Sequence, residues 1–300
     1  MTNPLRASII IPTYNRSEIL SYTLESILRQ SIDLNEIEVI VADDGSSDDT
    51  KEVVLRYQSK LKLKYVRQED QGYRAGAARN LGIRSAESPV CIFLDNGILL
   101  SSQAIEAHLN VHEQSEEACT VIGYIYGFDD DNVHNEELYR LVDYNNPDES
   151  IRQLQERGIL DNREPLYQEL GDDLSKWPAP WVIFWSGNIS VKTEVLFRVG
   201  LFDEYYTTWG GEDTDLGLAL EKHHVRFVLS RQADSIHYPH KKDSTWQVDP
   251  EERERDFERK RDYMHSKYNT EATKLWYTCY YNELNQKLLA LRQDHLIGQG

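Results

Sequence analysis

The feature that most constrains this chain is an alternation of short apolar runs with helical stripes through its first 125 residues. The first run, Ser8-Ile-Ile-Ile11, stops at Pro12. Residues 17–30 then place Ile19, Leu20, Leu24, Ile27 and Leu28 on one helical face, with Ser17 as the expected cap. A strand is predicted at 37–42, then the turn Asp43-Asp-Gly-Ser-Ser-Asp-Asp49 and a helix to residue 58. A strand at 63–67, a helix at 75–86 and a strand at 89–94 continue the rhythm. Strands separated by helices build right-handed βαβ units, so the predicted fold class is α/β with a mostly parallel central sheet. Ligands of such sheets gather where the strands end.

The rhythm breaks between residues 126 and 180. Residues 129–173 hold 14 acidic and 4 basic side chains, with Asn145-Asn-Pro147 and a weak amphipathic helix over 138–154. This stretch reads as an acidic insertion forming a lid or a wall. Regular structure resumes at 181–191, with helices expected at 193–198 and 213–223 and a strand at 225–229. Two further helices are predicted, a densely charged one at 251–268 and an amphipathic one at 271–291.

Charge narrows the function classes. The 33 basic and 51 acidic residues give −18, a surface that repels polyanions, so no nucleic-acid partner is expected. The longest apolar runs, such as Val90-Cys-Ile-Phe-Leu94, fall well short of the roughly 20 residues of a membrane span. The opening residues lack the apolar length and cleavage site of a signal peptide, so a cytoplasmic chain is expected. Cys91, Cys119 and Cys279 are too few and too scattered for a disulfide framework and read as buried thiols.

Two common phosphate-binding fingerprints, G-x-G-x-x-G after the first strand and G-x-x-x-x-G-K-[ST], are absent. The first strand delivers Pro12-Thr-Tyr-Asn-Arg16 and the second Asp43-Asp-Gly-Ser46. Carboxylates there can accept hydrogen bonds from a base or a ribose, with Thr13 and Asn15 as short polar partners. The competing reading is that Asp43 and Asp44 only shape a turn. The fourth strand ends in Asp95-Asn96-Gly97, and the stretch before it offers Arg74 and Arg79 as cations or as plain surface residues. The sharpest signal is Trp209-Gly-Gly-Glu-Asp213: two glycines turn the chain tightly, and Glu212 and Asp213 open a helix. One acid can hold a polyol while the other takes a proton; capping alone is the simpler alternative. His108 and His112, four apart on a predicted helix, read as packing residues. Most of the aromatic cluster from Trp177 to Trp209 reads as core, with Trp209 the exception suited to a sugar face.

Taken in order, Ser8-Ile-Ile-Ile-Pro-Thr-Tyr-Asn15, Asp43-Asp-Gly-Ser46, Gly76-Ala-Ala-Arg-Asn80, Phe93-Leu-Asp95 and Trp209-Gly-Gly-Glu-Asp213 resemble glycosyltransferase family 2 enzymes of the GT-A fold. The last element and Ser186-Gly-Asn-Ile-Ser190 are similar to the C-terminal half of galactosyltransferases and chondroitin synthases. The resemblance covers residues 7–240. It implies a GT-A domain over 1–245, divided into a nucleotide-binding half (1–125), the acidic insertion (126–180) and an acceptor and catalytic half (181–245), followed by a helical extension (246–300).

The resemblance further implies an inverting transfer of a sugar from a nucleoside-diphosphate sugar, with uridine diphosphate as the expected carrier, to a saccharide, peptide or small-metabolite hydroxyl. Pro12, Thr13, Tyr14, Asn15, Arg16, Asp43, Asp44, Arg74, Arg79, Asp95 and Asn96 would face the donor. Asp213 would be the general base, and Trp209, Gly211 and Glu212 would hold the acceptor. A divalent cation, Mn²⁺ or Mg²⁺, would use Asp95 with His237 or, less favourably, His240. Position 97, where such enzymes carry a second acid, is glycine here. Arg74 or Lys241 and Lys242 could therefore neutralise the leaving group instead. A non-catalytic sugar-nucleotide-binding relative is the alternative that Gly97 motivates. A nucleotidyltransferase would need a glycine- and lysine-rich first loop, and a serine hydrolase a G-x-S-x-G elbow; neither is present.

Overall fold

A computed structural model describes residues 4–128, 135–240 and 249–297. Lys241 and Lys242 lie outside the described residues, as do positions 129–134 of the acidic insertion. The strands are β1 (Ala7–Thr13), β2 (Ile37–Asp43), β3 (Leu63–Arg67), β4 (Val90–Leu94), β5 (Ile98–Leu100), β6 (Cys119–Tyr126), β7 (Asn188–Lys192) and β8 (Arg226–His237). They form one sheet in the order β3-β2-β1-β4-β7-β6-β8-β5. The pairings β3/β2, β2/β1, β1/β4 and β6/β8 are parallel, while β7 runs antiparallel to β4 and β6, and β5 antiparallel to β8.

Both faces of the sheet are covered. Ile9 and Ile11 of β1 pack with Leu20, Leu24 and Val41 on one side, while Ile10 joins Ile40, Ile83 and Phe93 on the other. That split follows from the two-residue period of a strand buried on both faces. The flanking helices are α1 (Ser17–Leu28), α2 (Thr50–Tyr57), α3 (Ala75–Ser85) and α4 (Ala104–Gln114). The chain order reverses beside β1, which lies between β2 and β4. Such a switch point leaves a crevice at the strands' carboxyl ends, where Thr13 and Asp95 fall.

Several local expectations change. Ser17 does not cap α1 with its side chain; it is the first helical residue, and its N–H donates to Asp48 Oδ2 at 2.9 Å. The helix expected over 138–154 is two, α5 (Asn135–Leu141) and α6 (Pro147–Arg157), because Pro147 has no N–H and sits in the first turn of the second. With α7 (Glu164–Leu170) these helices bury Leu138, Leu154, Leu166 and Tyr167 against β6, so much of the described insertion packs into the core. Arg163 and Asp161, both buried, tie it down: Arg163 donates to the Gly123 carbonyl at 2.8 Å, and Asp161 accepts the Ile125 N–H at 2.8 Å.

Around Trp181 the chain forms a single 3-10 turn, Pro180–Ile183, before β7 begins. After α8 (Thr193–Val199), α9 (Glu212–Lys222) and α10 (Pro250–Tyr268), the helix predicted over 271–291 divides into α11 (Glu271–Leu275), a 3-10 turn at Trp276–Thr278 and α12 (Leu284–Ile297). The break lets Trp276 pack edge-on against buried Trp181, ring centroids 5.2 Å apart, and Tyr281 against Trp185 at 5.3 Å. Among the described residues no helix is long and apolar enough to cross a membrane.

Candidate active site

The centre forms where β4, β7, α3 and α9 meet. Leu94 pairs with Asn188 across the β4/β7 ladder, which sets Asp95 beside Ser186 and Gly187; the Asp95 N–H donates to the Gly187 carbonyl at 3.1 Å. From α3 the buried Arg79 donates to Asp95 Oδ1 at 2.8 Å and to Glu212 Oε1 at 3.1 Å. Its neighbour Asn80 holds the loop leading to α9, donating to the Phe202 carbonyl at 2.8 Å and accepting the Phe202 N–H at 2.9 Å. One arginine therefore joins an acid at a strand end to an acid 117 residues later at a helix start.

Glu212 is 3% exposed, and its Oε1 also accepts from the Tyr73 hydroxyl at 3.2 Å. Its other oxygen, Oε2, and Arg79 Nε are buried without a hydrogen-bond partner among the described residues. Unsatisfied charged atoms cost more than satisfied ones contribute, so the site is polarised and incomplete. Asp213 accepts the Thr214 N–H on Oδ1 at 2.7 Å and faces the Ser186 N–H from Oδ2 at 3.4 Å. Burial first, and the charge of Glu212 second, push its carboxyl up to about 7. Burial likewise raises the Tyr73 phenol well above its ordinary value. Tyr73 and Ser186 are additions to the expected site residues; their signals in sequence are position, Tyr73 next to Arg74 and Ser186 at the head of the Ser186-Gly-Asn-Ile-Ser190 motif.

The other expected donor-facing residues divide into two groups. Thr13 is buried and accepts from Asn96 Nδ2 at 2.6 Å, beside Asp95, while Tyr14 is exposed with its hydroxyl on Asp70 at 2.9 Å, next to half-buried Pro12. Asp44 accepts from Gln68 at 2.6 Å and from the Arg74 N–H at 2.8 Å, and burial raises its carboxyl. Asp43, by contrast, is a turn former: Oδ1 receives the Gly45 and Ser46 N–H groups, and Oδ2 receives the Tyr65 hydroxyl. Asn15 likewise serves the loops: its Oδ1 accepts the Ser47 N–H at 2.8 Å and staples the ends of β1 and β2 together. Arg79 is buried and held by two carboxylates. Arg74 turns toward Gln71 and Glu204.

Of the residues expected to hold a divalent cation, His240 lies near the strand-end acid, its Cε1 3.9 Å from where a Cβ on Gly97 would stand. Asp95 is the acid at this strand end, with its Oδ1 on Arg79. Gly97 has φ +112°, and a Cβ there would lie 3.2 Å from Ile19 Cγ2, so this backbone resists the second acid that the resemblance leads one to expect there. His240 directs Nε2 at Arg16 Nη1, 2.9 Å away, and Nδ1 at the Tyr238 carbonyl at 2.9 Å. The His237 ring lies 4.7 Å from that of Phe128 and 5.1 Å from that of His240. Among the described residues no three His, Cys, Asp or Glu side chains are grouped to hold a metal. His108 and His112 pack in the core on Ser190, at 3.0 and 2.8 Å, and burial lowers both, to about 4 and about 3. Trp209 stands 42% exposed beside Gly211, which caps α9.

Residues 8–165 match the family model described as Glycosyl transferase family 2, and residues 170–241 match that of the N-terminal domain of galactosyltransferase. The chain belongs to glycosyltransferase family 2. It is 42% identical over 236 residues to validoxylamine A glucosyltransferase of Streptomyces hygroscopicus subsp. jinggangensis, a match covering 78% of this chain and 56% of that one. It is 32% identical over 235 residues to chondroitin synthase of Escherichia coli, covering 77% and 34%. The chain thus spans about half the length, or less, of these curated relatives.

The fold is GT-A. Staphylococcus aureus TarS 1–349 in complex with UDP-GlcNAc superposes with a TM-score of 0.61 at 19% identity, covering 87% of this chain and 66% of that one. The mannosyltransferase PcManGT from Pyrobaculum calidifontis, in complex with GDP-Man and Mn²⁺, gives 0.58 at 20% identity, covering 82% and 61%.

Proposed function

We propose that the chain catalyses inverting transfer of a sugar from a nucleoside-diphosphate sugar, with uridine diphosphate as the carrier, to the hydroxyl of a saccharide or a small polyol-like metabolite. The observation that carries this reading is the Asp95–Arg79–Glu212 bridge, which brings the strand-end acid to the helix start where Asp213 keeps a raised carboxyl. A base that titrates near the working pH can both hold an acceptor hydroxyl and take its proton. The acceptor oxygen attacks the anomeric carbon from the face opposite the diphosphate. Its proton passes to Asp213 as the bond from carbon to phosphate oxygen breaks, through a transition state of oxocarbenium character.

Glu212 Oε2, lacking a partner, is the oxygen suited to a second acceptor hydroxyl, and exposed Trp209 suits the apolar face of a sugar ring. On the donor side, Thr13, Tyr14, Asp44, Asp95 and Asn96 flank the crevice. Arg16, at the entrance of α1, is the cation offered to the diphosphate, where negative charge develops. A divalent cation, if bound, would draw on Asp95 and His240 or His237 with the diphosphate oxygens, and would offset charge on the leaving group. The relatives support the reaction class: their names include a glucosyltransferase and a chondroitin synthase. A neighbour's complex with UDP-GlcNAc supports the carrier.

A second reading, a sugar-nucleotide binder without turnover, is favoured by Gly97 alone. The test is UDP release from UDP-glucose, UDP-GlcNAc and UDP-galactose, with GDP-mannose as contrast, in the presence of saccharide acceptors. Release from a UDP sugar, with NMR of the product showing the opposite anomeric configuration to the donor, is the expected result. Retained configuration overturns the mechanism, and tight UDP binding without release from any donor gives the second reading.

A further inference from the structure

Lys260 is the unusual residue of α10. Its neighbours Arg255, Glu258 and Arg259 are exposed, yet Lys260 itself is 3% exposed. Its ammonium donates to the Trp209 carbonyl at 2.7 Å and the Thr208 carbonyl at 3.3 Å, and pairs with Asp256 Oδ2 at 2.7 Å. Three N–H groups thus meet three acceptors, and Asp256 Oδ2 also receives the Thr208 hydroxyl at 2.6 Å. Taking an ammonium out of water is costly, so a lysine in this position is structurally committed to what it holds.

What it holds is the segment that leads directly into Glu212 and Asp213. Gly210 and Gly211 follow with φ +84° and +104°, and Gly211 caps α9 without any side-chain acceptor. Two successive glycines in that region have little conformational preference of their own, and the helix start has no local cap to fix it. The fixing comes from α10. Beyond Lys260, a Cβ on Gly211 would meet Met264 Cε at 3.3 Å, so the loop lies tight against the helix. Two turns beyond Lys260, Lys267 binds Asp203 at 2.8 Å and Asp215 at 2.6 Å, gripping the two ends of the same segment.

We propose that Lys260 is a positioning residue of the active site, setting the Thr208–Gly211 backbone from which Glu212 and Asp213 project. It touches no substrate. The inference rests on the proposed transfer reaction, in which a displacement on the order of 1 Å at a reacting group can cost about a hundredfold in rate.

The test compares the 300-residue chain with its Lys260→Met and Lys260→Arg variants, using the UDP sugar that the wild type cleaves, UDP alone as the binding probe, and amide exchange by mass spectrometry. Lys260→Met is expected to lower kcat at least about tenfold and to keep the Kd for UDP within about twofold, and its amides at 208–215 should exchange faster while those at 37–43 do not. Lys260→Arg, which keeps a donor cation, should recover much of both losses. Wild-type kcat in Lys260→Met, unaltered exchange at 208–215, or an equal weakening of UDP binding each overturn the assignment. If Lys260→Met fails to fold, Asp256→Asn takes its place, with the same losses expected and the same results overturning the assignment. A wild type that cleaves no donor defeats the proposed reaction, whereas the exchange comparison still decides whether Lys260 anchors the loop.

Discussion

At the ends of β1 and β2, the acids and amides are satisfied by the loops they build: Asp43 receives two backbone N–H groups and a phenol, and Asn15 ties one loop to the other. At the start of α9, side chains of the same chemical types are left incomplete. Glu212 Oε2 and Arg79 Nε lack partners among the described residues, and Asp213 holds a carboxyl displaced upward by burial and by the charge beside it. A buried polar atom without a partner is exceptional and calls for an explanation: the proposed reaction supplies one for Glu212, whereas, among the described residues, Tyr167 and Trp181 carry such atoms within the core. Under the proposed reaction the contrast divides scaffold from chemistry within a single crevice, and it can be attacked from both sides.

The largest effect is expected from Asp213→Asn. Removing the proposed base should lower turnover about 10²- to 10⁴-fold while leaving the UDP affinity measured by calorimetry in place. A variant with near-wild-type rate would erase the distinction between α9 and the strand ends. Next comes Arg79→Met, which strands Asp95 and Glu212 without their shared cation. Urea unfolding should show a loss of about 3 kcal/mol, the low end for a broken buried pair because the Asp95 side chain is 46% exposed. A neutral outcome would mean that the bridge is incidental.

On the scaffold side, Asn15→Ala should cost about 1 kcal/mol of stability through the lost loop hydrogen bonds, with UDP affinity per folded molecule little altered. A large drop in UDP affinity at unchanged stability would return Asn15 to the donor site.

A last signal, read as a trend rather than at one condition, is in pH. The Asp213 carboxyl titrates near 3.8 in the unfolded chain and at about 7 in the fold, so between those values the folded chain keeps a proton that the unfolded chain has released. The stability from this group is complete below the lower value and declines as pH rises through the upper one. Wild type should therefore melt below Asp213→Asn at pH 8, with the gap closing toward pH 5, while kcat climbs over the same interval as the base ionises. Melting temperatures with no such trend would sharpen the comparison by placing the raised proton elsewhere in the cluster.

Much of the scaffold is legible in the residues. The third strand falls where its apolar run predicts, at Leu63–Arg67, and α1, α3 and β4 differ from expectation only at their ends. The failures share a cause. Asp48 rather than Ser17 serves the first turn of α1, because the partner lies 31 residues away and is brought near by the turn after β2. The C-terminal amphipathic pattern breaks around Trp276 because packing on Trp181 outweighs helix continuation. In the site, Glu212 and Asp213 stand out as a motif, but the role of Arg79 as their bridge to Asp95 cannot be inferred from a helix that reads equally well as a surface.

The local pattern of apolar residues and glycines thus determines which segments become strands, helices and turns, since periodicity and backbone sterics act over a few residues. Which carboxylates are satisfied and which remain poised is decided only by the assembled fold. Hydrogen-bond partners and burial are supplied by segments that only the fold brings together, 133 residues apart for Arg79 and Glu212, and their energies exist only once water has been excluded from between them.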